Sequence, residues 1–143
     1  MEDVARSPHA QRASLTYSAV ADHYDLPALS FWHRFGEQTI RRAGVQPGDR
    51  VVDLCCGSGA SALAAARATG PHGRVLGIDV AEGLLALARE KAAREGLENV
   101  EFVHRDATAT GLVSEGTNVV VCALGVLSAY DLTCCSGYGL TCR

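Results

Sequence analysis

The sequence lacks any apolar run long enough to span a membrane, and its start, Met1 to His9, lacks the apolar core of a signal peptide. Both absences favour the cytoplasm. A basic surplus is missing as well: 13 Lys and Arg against 16 Asp and Glu give a formal charge of -3, with the signs mixed along the chain. No basic stripe is left for a phosphate backbone, so nucleic acid is not implied as a partner, and a small or lipid-like molecule suits the chain better. Six cysteines are present, but Cys55, Cys56 and Cys122 stand in apolar, strand-like surroundings where a reduced thiol packs as a small hydrophobe. The other three, Cys134, Cys135 and Cys142, lack the Cys-x-x-Cys spacing of a zinc site, and no metal is expected.

What is present fits one domain, with 48% hydrophobic and 20% charged residues in 143. Residues 1–14, polar and alanine-rich around Pro8, read as a flexible leader. Residues 15–127 carry the domain, and 128–143 form an atypical cysteine-rich tail. From Ser30 to Ala43, Phe31, Phe35, Thr39 and Ala43 recur every four residues between a capping serine and Gly44, which predicts a helix. Arg50 to Leu54 predicts a strand, Gly59 to Thr69 an alanine-rich helix, Arg74 to Ile78 a second strand and Glu82 to Glu95 a second helix with Leu84, Leu85 and Ala88 inward. Val100 to His104 follows as strand three, and Val119 to Ala123 as strand four, apolar enough to be buried on both faces.

Strands alternating with helices predict an α/β fold, a Rossmann-like doubly wound parallel sheet with right-handed crossovers. Ligands of such sheets bind beyond the carboxyl ends of the strands, at the point where the strand order reverses. The candidates are therefore the turn from Asp53 to Gly59, then Asp79, Asp106 and Ala123 to Gly125.

Gly57-Ser58-Gly59-Ala60-Ser61-Ala62, with Asp79 about 20 residues beyond, formally matches a dinucleotide fingerprint. Asp53 argues for another ligand, because a pyrophosphate arriving at the helix N-terminus would meet its negative charge. A cationic ligand fits better. S-adenosyl-L-methionine carries an ammonium and a sulfonium and no phosphate, so Asp53 suits its methionyl end. Gly57 and Gly59 let the backbone turn sharply and approach the ligand, and Asp79 can accept both ribose hydroxyl protons. Asp106 can accept from the adenine amino group while the Ala107 amide points at the ring.

Three motifs, Val51-Val52-Asp53-Leu54-Cys55-Cys56-Gly57-Ser58-Gly59, Gly77-Ile78-Asp79-Val80 and Arg105-Asp106-Ala107, resemble in order and spacing those of the class I S-adenosylmethionine-dependent methyltransferases. The segment Tyr17-Ser18-Ala19-Val20-Ala21-Asp22-His23-Tyr24-Asp25, with Trp32 after it, is similar to the N-terminus of the ubiquinone and menaquinone biosynthesis branch. The resemblance covers about residues 15 to 125 and implies S-adenosylmethionine as methyl donor and a small-molecule or lipid-like methyl acceptor. Cofactor contacts then fall to Asp53, Cys55, Gly57, Ser58, Gly59, Asp79, Val80, Asp106, Ala107 and Ala123, with Tyr17 and Tyr24 either a flap over the cofactor or part of the core packing. Cys55 departs from the family's usual glycine, Asn118 from its aspartate before strand four, and Thr117 from its aromatic.

Transfer of a methyl group from a sulfonium is a direct displacement that needs no protein nucleophile, and proximity with in-line orientation supplies most of the acceleration. His23, His33, His104, Tyr17 and Tyr24 are candidate bases, yet none is assigned a catalytic role, and Trp32 reads as packing. The family sheet has seven strands, whereas the last 16 residues here, Ser128 to Arg143, hold three cysteines and no helical or strand period. Strands five to seven read as missing. A truncated, inactive cofactor-binding fragment is the alternative to an active methyltransferase, and a nicotinamide-dependent oxidoreductase is a minor one. An unpaired edge on strand four predicts self-association: sedimentation of the purified chain is expected to show species above the monomer, and a monomer with a sharp two-state melt contradicts it.

Overall fold

The computed structural model describes residues 8–107 and 116–123. Helices α1 (Pro8–Ala19) and α2 (Ala21–Tyr24), a 3-10 turn (Pro27–Leu29) and α3 (Phe31–Ala43) precede the sheet. Then β1 (Arg50–Leu54), α4 (Ala60–Thr69), β2 (Arg74–Asp79), α5 (Glu82–Glu95), β3 (Val100–His104) and β4 (Val119–Val121) follow in turn. The sheet runs β3-β2-β1-β4 with every pair parallel, so the strand order reverses between β1 and β4. The predicted α/β architecture is the observed one.

Local sequence explains the layers. Ala62 and Ala65 of α4 are fully buried, and with no side chain beyond Cβ they let the helix settle close on the sheet. In the same core lie Val51, Val75, Leu85 and Phe102, drawn from three strands and α5. Gly96, in the left-handed conformation at φ 66°, ends α5, and the Leu97 amide reaches back to the Ala92 carbonyl. Asn118, where the family resemblance led to an aspartate, does the work required there. Its side-chain oxygen accepts from the Arg50 amide at 2.8 Å and its own amide donates to the Arg50 carbonyl at 2.9 Å, which ties the start of β4 to the start of β1. A neutral amide suffices for that pairing.

Three features depart from or add to what the sequence implies. Residues 8–14 are helical, because Pro8 sits in the first turn, where its missing N–H costs nothing, and alanines carry the helix onward. The stripe of Phe31 and Phe35 does not face the core: the two rings are 39% and 47% exposed and pack edge-on against each other, 6.2 Å apart. Gly36 and Ile40 face inward instead, since α3 crosses the start of α4 so closely that a Cβ on Gly36 would lie 2.6 Å from the Ala60 carbonyl carbon. Strand β4 ends at Val121, with Val119 and Val120 only partly buried, because among the described residues it pairs with β1 alone. Leu124, Gly125 and the cysteine-rich tail lie outside the described residues.

The crossing at Gly36 gives a direct test. Gly36→Val is expected to destabilise the chain by about 3 kcal/mol, the upper range for overpacking a tight contact. Gly44→Ala meets no atom within 4 Å and strains only the backbone at φ 66°, a cost of about 1 kcal/mol. Urea denaturation of both variants checks the order.

Candidate functional site: the carboxyl edge of the sheet

Leaving β1, the chain turns at once. Cys55 adopts φ 56°, a left-handed conformation that favours glycine and so carries strain here. The Cys56 amide then donates to the Ile78 carbonyl, the Gly59 amide to the Cys56 carbonyl, and the Gly57 amide to the Asp79 carboxylate at 2.8 Å. The two glycines serve different ends. A Cβ on Gly57 would meet nothing nearer than Leu84 Cδ1 at 3.8 Å, so the space beside it is open to a ligand. At Gly59 (φ 90°) a Cβ would press on the Ala88 Cβ at 3.1 Å, which makes this glycine a packing requirement between α4 and α5. The sequence motif alone does not distinguish the pair.

Asp53 lies beneath the turn, fully buried. One carboxylate oxygen accepts from the Ser61 hydroxyl at 2.6 Å, and the other has no hydrogen-bond partner. Burial pushes its pKa up to about 7; the Ser61 bond opposes the shift and the nearby Asp79 charge adds to it. An unpartnered buried carboxylate oxygen under an open glycine turn fits a cationic ligand group.

Asp79 ends β2 and is held from two directions, by the Gly57 amide and, on its other oxygen, by the Ala81 amide at 2.8 Å. Burial raises its pKa, and these amides work against the rise. The next residue, Val80, is partly exposed, and its carbonyl sits 2.9 Å from the His104 ring nitrogen. Asp106 and Ala107 follow β3, both buried, and Ala107 packs with Leu54 and Ile78. Ala123, partly exposed, follows β4. All these positions lie just past the carboxyl ends of the four strands, at one edge of the sheet.

The N-terminal helices close over that edge. Tyr17 and Tyr24 pack with Ala21, Ala81 and Leu84, directly above the residues that follow Asp79. Burial first, then the charges of Tyr17, Asp79 and Asp25, raise the Tyr24 pKa, so its phenol remains a donor at neutral pH. Trp32 stacks on Tyr24 at 5.8 Å, and its buried indole N–H has no partner. His104 is engaged with the Val80 carbonyl and lies 3.8 Å from Glu82, which is a structural employment.

The thiols behave as packing groups. Cys55 bonds with Cys122, just past the end of β4; that bond, followed by burial, raises the Cys55 pKa, and burial raises that of Cys56. Protonated at neutral pH, they are poor nucleophiles. Cys55, Cys56 and Cys122 are free of disulfides.

Three contributors escaped the sequence reading. Ser61, inside a run of alanines, is the donor to Asp53; Asp25 and Lys91 meet beside Ser58. Ser61 had a signal, since it stands eight residues after Asp53 on the first turn of α4. Asp25 and Lys91, 66 residues apart, had none.

The buried Asp53 makes stability depend on pH. Its native pKa of about 7 exceeds the ordinary 3.8, so between those values the folded chain holds a proton that the unfolded chain has released. The stability it confers is full below the ordinary value and is lost as pH rises through 7; Asp79, shifted in the same direction, adds to the trend. Urea unfolding between pH 4 and 7 is expected to show stability falling by up to about 1.4 kcal/mol per pH unit from Asp53, with a flatter profile in Asp53→Asn.

Comparison with known proteins agrees with this geometry. A family model described as "Methyltransferase domain" matches residues 51–136, more than half of the chain. The chain is 31% identical over 125 residues to a demethylmenaquinone methyltransferase of Geobacillus kaustophilus, covering 85% of this chain and 53% of that protein. It is 34% identical over 121 residues to one from Staphylococcus aureus, covering 85% and 48%. The chain thus spans about half the length of the curated relatives it matches. In fold it is similar to a SAM-dependent methyltransferase structure from Aquifex aeolicus, with TM-score 0.71 and 23% identity over 85% of this chain and 64% of that one. These matches remove the oxidoreductase alternative. With its parallel sheet, its glycine turn and its acidic residues at the strand ends, the chain belongs to the S-adenosylmethionine-dependent methyltransferases of the methyltransferase domain family.

Proposed function

We propose that the chain binds S-adenosylmethionine at the carboxyl edge of its sheet and takes part in methyl transfer to a small, lipid-like acceptor of the quinone type. The observation that carries this reading is the open space at Gly57, set between the unpartnered Asp53 oxygen below and the Asp79 carboxylate beside it. The relatives named as demethylmenaquinone methyltransferases support the acceptor class.

In this reading Asp53 faces the methionyl ammonium through its free oxygen, and Gly57, Ser58 and Gly59 form the floor. Cys55, Val80 and Ala123 line the walls. Asp79 accepts from the ribose hydroxyls, Asp106 accepts from the adenine amino group, and the Ala107 amide donates to the ring. Tyr17 and Tyr24 close over the ligand and exclude water. When bound, the cofactor supplies an electrophilic methyl group on a positive sulfur. The protein would supply orientation, and a direct transfer of that methyl group would need no nucleophile from the protein. The cytoplasm is the compartment that goes with this function.

A second reading is binding without turnover by these 143 residues, favoured by β4 standing at the edge of the described four-stranded sheet. Calorimetric titration with S-adenosylmethionine and NAD, followed by a labelled-methyl assay on a demethylated menaquinol, separates the readings. Binding of S-adenosylmethionine and not NAD is expected, with Asp79→Ala weakening it at least tenfold through loss of charge-assisted hydrogen bonds. A folded chain that fails to bind S-adenosylmethionine sinks both; binding without methyl transfer leaves the second.

A further inference from the structure

Lys91 is the one lysine in the chain; every other long basic side chain is arginine. It lies on α5, 14% exposed, with its ammonium 2.6 Å from the Asp25 carboxylate and 3.2 Å from the Ser58 carbonyl. The Ser58 hydroxyl approaches the same Asp25 oxygen at 3.4 Å, and His33 lies 3.9 Å from it. Four parts of the chain therefore meet at one carboxylate: the segment after α2, α3, the glycine turn and α5. The compact ammonium suits such a junction, because its donors can serve a carboxylate and a carbonyl in different directions, where a planar guanidinium would favour one bidentate partner.

The junction has mechanical meaning. Helices α1 and α2 rest on the start of α5, where a Cβ on Gly83 would come within 3.2 Å of Ala21 and 3.3 Å of Ser18. Their aromatic residues Tyr17 and Tyr24 sit over the end of β2. Few deeply buried contacts hold these helices: Ala10 is the one buried residue of α1 and Ala21 the one buried residue of α2. A segment held so lightly opens at low cost. Its ion pair with Lys91 bears directly on the turn that would carry the ligand.

The geometry points to Lys91 and Asp25 as positioning residues that fasten the N-terminal helices to the glycine turn and so govern how long S-adenosylmethionine stays bound. This inference rests on the proposed cofactor site. Neither residue needs to touch the ligand. Closing the helices shields it from solvent, and breaking the pair shifts the helices toward the open state, which raises the dissociation rate more than it slows association.

Because Lys91 is the sole lysine, a water-soluble acetylating ester reports on it alone, with the α-amino group of Met1 as internal reference. In the full chain, Asp25→Asn is expected to speed acetylation of Lys91 about tenfold, and S-adenosylhomocysteine to slow it in the wild type. The dissociation rate of S-adenosylhomocysteine is expected to rise about tenfold in Asp25→Asn and in Lys91→Met, and no further in the double variant, while Lys91→Arg, which keeps the charge but favours one bidentate partner, recovers only part of the wild-type rate. Hydrogen exchange in β1 and α4 that matches the wild type shows that the variants fold. Folded variants with unchanged acetylation and dissociation rates overturn the inference, as do additive effects in the double variant. A folded wild-type chain that binds no S-adenosylhomocysteine overturns the proposed function itself, an outcome the wild-type titration identifies separately.

Discussion

The carboxylate of Asp79 joins the parts on which this fold's chemistry depends. One oxygen takes the Gly57 amide and the other the Ala81 amide, so the turn after β1 and the start of α5 are tied to the end of β2 by a single side chain. Both bonds are charge-assisted and sheltered from water, which makes them stronger than neutral bonds at a surface. Burial penalises that charge, and the two amides offset part of the penalty. Remove the carboxylate and the glycine turn loses its anchor to the neighbouring strand.

Around this anchor, small residues set the spacing. Gly36 admits α3 to the start of α4, Gly59 admits α5 to α4, and the buried alanines of α4 admit the helix to the sheet. None of the three contacts tolerates added bulk without displacement of backbone or packed side chains. The result is a turn held rigidly from below and from both sides. Over it lie helices with few buried anchors, so rigidity and mobility meet at the place where a ligand would enter.

Electrostatics follow from the same geometry. Asp53 and Asp79 lie near each other in a poorly solvated region; burial raises the pKa of both, and the Asp79 charge adds to the rise at Asp53. Such a site is poorly satisfied without a cation. Asp53 in particular retains one oxygen without a donor, and a buried acceptor left unpaired costs free energy that a positively charged group would recover.

The sequence by itself determined the alternation of strands and helices, the glycine turn after β1 and the acidic residues at the ends of β2 and β3. Each is a local property, set by the runs of valine, the glycines that stop helices and the spacing between motifs. The first helices were less legible, because α1 carries a weak apolar stripe and Pro8 reads equally as a breaker or a first-turn residue. The inward face of α3 was not legible for a related reason: apolar periodicity marks Phe31 and Phe35, whereas the crossing with α4 demands the glycine one position further on. Only the tertiary structure decided which glycine leaves room for a ligand, that Asp53 lies under the turn and not upon it, and that Asp25 meets Lys91. Those are relations between segments distant in sequence, and close packing fixes them only once the chain has folded.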